Sequence, residues 1–175
     1  MRLLAILLAA WALWAGPLND LIGKPLPHLS LAGKEGHTVG GAPFDSRDLR
    51  GKVTVLFYVD PDKKDLNEDF TEALKAKHFD RKNYRSVAII NMAATWMPNF
   101  VLNAALKSKQ KTYPDTLYVK DFHKKGVKAW HLADDDANFL ILSKEGKVLY
   151  ACSGKIPKSE WPGIFQTIQR AMNGR

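Results

Sequence analysis

A single cysteine, Cys152, stands in a chain of 175 residues. One thiol excludes an intramolecular disulfide, a CxxC redox pair and a cysteine-built zinc site. The five histidines (His28, His37, His78, His123 and His131) form no i,i+4 pair, no HExxH and no other metal-ligand spacing. Each therefore reads as a surface or satisfied core residue, and neither a metal site nor a cofactor is expected. No glycine-rich phosphate loop occurs, and Ser153–Gly154 lacks the G-x-S-x-G context of a serine hydrolase. No zinc finger, helix-turn-helix or RNP-like aromatic motif is present, and no apolar run reaches the roughly 20 residues that cross a bilayer.

What is present is the balance of a soluble globular chain, with 46% hydrophobic and 25% charged residues. The formal net charge is +8. The lysines are scattered among acids. Their densest runs, Lys107, Lys109 and Lys111, then Lys120, Lys124, Lys125 and Lys128, read as a solvated basic face, so a nucleic-acid partner is not expected. At the N-terminus, Arg2 precedes an unbroken apolar run of 12 residues, Leu3 to Trp14, followed by Gly16 and Pro17. That is the form of a signal peptide cut near Ala15 or Gly16. The expected organisation is a signal peptide over 1–16 and one domain over 17–175. The expected location is the periplasm, with no stable membrane span after cleavage. No cysteine follows the run, which argues against a lipid anchor.

The mature region reads as alternating strands and helices. A cap at Asp45 or Ser46 predicts one helical turn over Arg47–Leu49, closed by Gly51. Lys52–Val59 is near-continuously apolar, as in a strand buried on both faces. Asp65 is placed to cap a helix running to about Lys77, with Leu66, Phe70 and Leu74 on one side. Tyr84–Asn91 is a second buried strand. Pro98 suits the first turn of a second helix. Thr116–Lys120 reads as a short strand, and a basic connection ending in Trp130 follows. Ala137–Leu142 and Lys147–Ala151 form a hairpin around Gly146. Ser159 to Met172 has the spacing of an amphipathic helix. This order predicts an α/β domain of thioredoxin-like fold, a central mixed sheet flanked by helices, with an N-terminal extension.

Particular residues support a resemblance. Ile22–Gly23–Lys24–Pro25–Leu26–Pro27 with Asp48–Leu49–Arg50–Gly51–Lys52–Val53 resembles the opening of secreted thioredoxin-like proteins. Aligning Phe57–Tyr58 with their strand end places Asp62 and Asp65 where the redox cysteines stand, and Ala137 where their cis-proline stands. Glu68 matches an acid that often follows. Phe79–Asp80–Arg81–Lys82–Asn83–Tyr84 to Ile89–Ile90–Asn91, then Trp130–His131–Leu132 and Gly146–Lys147–Val148, resembles the YtfJ family. That resemblance implies a small periplasmic thioredoxin-like protein lacking the cysteine pair, and implies no particular activity. The chain departs from the family at Met92–Ala93–Ala94–Thr95–Trp96–Met97.

Thioredoxin chemistry needs a thiolate of lowered pKa and a resolving thiol, and aspartates supply neither. Asp62 and Asp65 read as helix caps. Asp60-Pro61-Asp62 after an apolar strand also resembles the first motif of Mg²⁺-dependent haloacid-dehalogenase phosphatases. Lys63 and Lys64 do not fit that motif, and Asp134–Asp136 precede a strand instead of following one. Three adjacent acids make a solvated loop, since one loop offers too few oxygens for Ca²⁺. Cys152 reads as a half-buried apolar side chain; the competing reading is an exposed thiol that forms a disulfide with a partner. Trp96, Trp130 and Phe122 together would make an exposed aromatic patch, although Trp130 alternates with Leu132 toward the sheet. The expected function is an exported, non-catalytic binding or adaptor protein of the cell envelope. Its partner would be an unidentified protein or small ligand, and its candidate edge comprises Asp60, Asp62, Asp65, Asn91 and Trp96. The alternatives are a DxD phosphatase using Asp60 and Asp62, and a thiol protein using Cys152.

Overall fold

The computed structural model describes residues 17–174. The signal peptide expected over 1–16 therefore lies outside the described residues. The strands are β1 (Ser30–Leu31), β2 (Gly36–Thr38), β3 (Phe44–Asp45), β4 (Val53–Val59), β5 (Tyr84–Asn91), β6 (Thr116–Asp121), β7 (Ala137–Leu142) and β8 (Val148–Ser153). The helices are α1 (Glu68–Lys75), α2 (Asn99–Thr112), α3 (Lys125–Trp130) and α4 (Trp161–Met172). Six strands form one sheet in the order β2-β6-β5-β4-β7-β8, while β1 and β3 pair in a small separate ribbon. β4, β5 and β6 are parallel, and β2, β7 and β8 run antiparallel to their neighbours.

β4 is central because its sequence suits burial on both faces. Its side chains alternate as the pleat requires. Leu56 and Tyr58 join one core with Val87, Ile89, Leu140 and Trp130. Val53, Val55 and Phe57 join the other with Phe70, Phe139, Ile141, Ile164 and Ile168. α1 and α4 cover the second face through Phe70, Leu74, Ile164 and Ile168, with Phe70 stacked on Phe165 at 5.7 Å between centroids. α2 adds Leu102 and Leu106 against Met92 and Tyr118. On the first face lie α3 and the segment carrying Leu18, Leu21, Leu29 and Leu31.

Three expectations change. The helix expected from Asp65 starts later, at Glu68, with Asn67 at the cap position. Neither aspartate caps it: Asp62 accepts from Thr95 Oγ1 at 3.3 Å, and Asp65 pairs with Lys64. The chain needs the intervening turns because Asn67 is pulled inward, accepting from Ile156 N–H at 2.8 Å and donating to the Gly154 carbonyl at 2.9 Å. Second, the basic connection contains a helix, α3, bounded by left-handed residues at Lys124 and His131. Gly126 inside it explains the close docking, since a Cβ there would lie 2.3 Å from the Tyr58 ring. Third, Trp130 ends this helix and not a strand. It is fully buried, with its indole N–H donating to the Pro27 carbonyl at 2.8 Å, so it shares no exposed patch with Trp96. The core role expected for Trp130 holds. The cap at Asp45 also holds, accepting from Arg47 N–H at 2.9 Å, and Gly146 has the positive φ its turn requires.

Candidate functional site

The parallel strands β4, β5 and β6 all end on one edge, and each end carries a buried polar residue: Asp60, Asn91 and Asp121. The loop 131–136 arrives at the same edge before β7, where the Asp60 amide donates to the Asp136 carbonyl at 3.1 Å. An open α/β sheet gathers ligand-binding groups at this edge.

Two of the buried polar groups there are fully used. Asp121 accepts from Tyr58 Oη at 3.0 Å, from Gly126 N–H at 2.8 Å and from His123 N–H at 3.0 Å, which pins the start of α3 to the sheet. Asn138 accepts from Ala133 N–H and Ser153 Oγ, and donates to the carbonyls of Ala133 and Tyr58. It thereby holds the acidic loop in place. Burial, reinforced by the Asp121 charge, pushes the Tyr58 pKa far above its ordinary value, so the phenol is a donor at every physiological pH.

Asp60 and Asn91 differ. Asp60 is 2% exposed, and neither of its carboxylate oxygens has a hydrogen-bond partner among the described residues. The Asn91 Nδ2 beside it also lacks one. A buried polar group left in this state costs about 1–3 kcal/mol, and more when charged. Burial first, then the negative charges of Asp134 and Asp135, push the Asp60 pKa up to about 6. The Asn91 amide and Lys124 oppose the shift, the amide from a position that does not meet hydrogen-bond geometry. One carboxylate oxygen from each of Asp60, Asp134 and Asp135 lies within 4.8 Å of the others. Lys124 Nζ holds both oxygens of Asp134, at 2.9 and 2.8 Å.

The remaining expected residues lie around this centre. Asp62 is exposed in the turn after β4 and tied to Thr95, and Trp96 beside Thr95 is 90% exposed. Asp65 is exposed further along the turn. Asp60 lies beneath the surface, whereas Asp62 and Trp96 are exposed. Of the pair in the phosphatase reading, Asp60 is buried while Asp62 is exposed and tied to Thr95. A phosphoryl-accepting carboxylate needs an open face, which Asp60 does not have. Cys152 is on β8, half-buried, and burial pushes its thiol pKa up to about 11. Sequence reasoning missed Asp121, Asn138, Tyr58 and Lys124 as organisers of the edge. Their linear neighbourhoods carry no motif. Only the pairing of distant strands assembles them.

The fold and its strand-end edge define a thioredoxin-like protein without a dithiol. Its architecture is similar to that of BsSco, a member of the Sco family of cytochrome c oxidase assembly proteins, with a TM-score of 0.61 at 13% identity over 89% of this chain and 98% of that one. The exposed lipoprotein thioredoxin of Streptococcus pneumoniae strain TIGR4 superposes with a TM-score of 0.54 at 17% identity, over 82% of this chain and 98% of that one. Residues 32–171 match the family described as "Bacterial protein of unknown function (YtfJ_HI0045)", and the chain belongs to that family. An uncharacterized protein of Haemophilus influenzae is 32% identical over 136 residues, which is 75% of this chain and 71% of that protein. The uncharacterized protein YtfJ of Escherichia coli strain K12 is 25% identical over 132 residues, 74% of this chain and 72% of that protein.

Proposed function

We propose that this protein is exported to the periplasm and acts as a non-catalytic binding or adaptor protein of the cell envelope through the carboxyl edge of its parallel strands. The observation that carries the reading is the chemistry of that edge. Asp62 and Asp65 stand in the turn where the resemblance places a cysteine pair. The chain's one thiol is half-buried on another element with a raised pKa. Dithiol exchange needs two thiols, one of them ionised near neutral pH. What the edge offers instead is an exposed aromatic, Trp96, beside an exposed carboxylate, Asp62. Such a pair suits a polar or cationic partner, with the indole as its anchor. Export is supported by Arg2 and the apolar run Leu3 to Trp14.

The test is capture from envelope extract by wild type and by the double variant Asp62→Lys, Trp96→Ala, each with and without reductant. A partner held regardless of reductant, and lost by the folded double variant, is expected. Binding that depends on oxidation and survives the double variant transfers the function to Cys152. Reduction of insulin disulfides by the isolated protein would overturn the non-redox reading. N-terminal sequencing of the periplasmic protein should start near residue 16 or 17, and a chain still beginning at Met1 would sink cleavage.

A further inference from the structure

The same edge contains one buried carboxylate whose oxygens accept no hydrogen bond among the described residues. Asp121, equally buried, has three donors on its oxygens, whereas Asp60 has none among the described residues. Folding keeps an unpartnered carboxylate in such a place only at a cost, because desolvation is not offset by any hydrogen bond. The carboxylate faces Asp134 and Asp135, within 4.8 Å, and those two residues open onto solvent.

We propose that Asp60, Asp134 and Asp135 bind a hard divalent cation, Ca²⁺ in preference to Mg²⁺, at the carboxyl edge of the sheet. The donors in the cluster are all carboxylate oxygens, which suit a hard ion; zinc and copper take imidazole and thiolate more readily. Three oxygens within 4.8 Å of one another lie no more than about 2.8 Å from a common centre, close to the 2.3–2.6 Å of Ca–O bonds, so a small side-chain adjustment lets one ion reach all three carboxylates. Mg²⁺ requires a smaller, near-octahedral shell, which carboxylates arriving from two separate loops do not favour. The charges also match. Three carboxylates against the single ammonium of Lys124 leave a local charge of −2, which one divalent ion cancels. The ion takes one oxygen of Asp134 and leaves the other with Lys124. Water on the solvent side of Asp134 and Asp135 completes the shell.

The cation site shares its location with the binding edge proposed above but needs no protein partner, so the two readings fail separately. The experiment is calorimetric titration of EDTA-treated protein with CaCl₂ and, separately, with MgCl₂, with the thermal midpoint followed in parallel. One Ca²⁺ per chain is expected, with a dissociation constant of about 10⁻⁴–10⁻³ M, as in extracellular calcium modules, and a rise in midpoint. Mg²⁺ should bind at least about tenfold more weakly. Asp60→Asn should lower Ca²⁺ affinity at least about tenfold, while its midpoint in EDTA equals or exceeds that of wild type, because the isosteric amide removes an uncompensated charge. Asp135→Asn, at an exposed position, repeats the affinity test should Asp60→Asn fold poorly. Absence of Ca²⁺ heat and of a midpoint rise would overturn the site. Undiminished binding in the folded variants would overturn these ligands, and tighter Mg²⁺ binding would overturn the choice of ion. Partner capture by the Asp62, Trp96 variant reports on the adaptor reading whichever way the titration goes.

Discussion

The phenol of Tyr58 donates to the carboxylate of Asp121 at 3.0 Å, joining the central strand to the end of β6 across 63 positions of chain. The same carboxylate receives the amide of Gly126, so one buried ion organises the sheet end and the helix laid over it. Tyr58→Phe leaves that buried carboxylate with one donor fewer. The expected loss is about 1–3 kcal/mol in denaturant unfolding, with the denaturant slope unchanged. A variant as stable as wild type would mean that Gly126 and His123 suffice to hold Asp121.

Gly126→Ala tests the packing side of the same arrangement. Its new Cβ would lie 2.3 Å from a Tyr58 ring atom that is itself fully buried, so the helix must lift or the ring must turn. Overpacking of this kind costs about 1–3 kcal/mol despite the better helix propensity of alanine.

The start of α1 yields a contrast between neighbours. Asn67→Ala removes two hydrogen bonds to the segment 154–156 and is expected to cost about 1–3 kcal/mol. Asp65→Ala removes an exposed pairing with Lys64 and should change stability by less than about 0.5 kcal/mol. If Asp65→Ala proves the costlier of the two, the later helix start is wrong.

Alkylation of Cys152 should follow the raised pKa. The thiolate is the reactive form, so in the native protein the rate stays low at neutral pH and climbs about tenfold per pH unit until about 11. In denaturant the same thiol should level off near its ordinary value of about 8.5. Mass spectrometry of a pH series separates the two curves. Fast native labelling at neutral pH would instead mark Cys152 as a reactive group.

The sequence was legible where burial has a simple period. Val53–Val59, Tyr84–Asn91 and the hairpin at Gly146 announce themselves as apolar, β-branched runs with a turn glycine, and the sheet is built from them. α3 was illegible because it is short and lysine-rich, and its hold on the sheet comes through Gly126 and Trp130 instead of an apolar stripe. From sequence alone the acidic loop 134–136 reads as solvated, because one loop offers too few oxygens for an ion. The further carboxylate is Asp60, which precedes the loop by more than 70 positions and joins it only when β7 pairs with β4. Asp62 and Asp65 misled for a related reason. An acid before a helix looks like a cap, and nothing in the linear order says that Asn67 will be drawn into the core.

The contrasting surroundings of Trp96 and Trp130 make the protein its own optical probe. Of five tryptophans, Trp11 and Trp14 fall in the segment that the proposed cleavage removes. Trp130, which ends α3, is fully buried and Trp161 is half-buried against Phe70, whereas Trp96 stands 90% exposed beside the acidic edge. Water-soluble quenchers therefore act chiefly on one indole, and the red-shifted part of the emission belongs to the same side chain. Any ligand that covers the strand-end edge will shield that light without a label, a reporter group or a substitution.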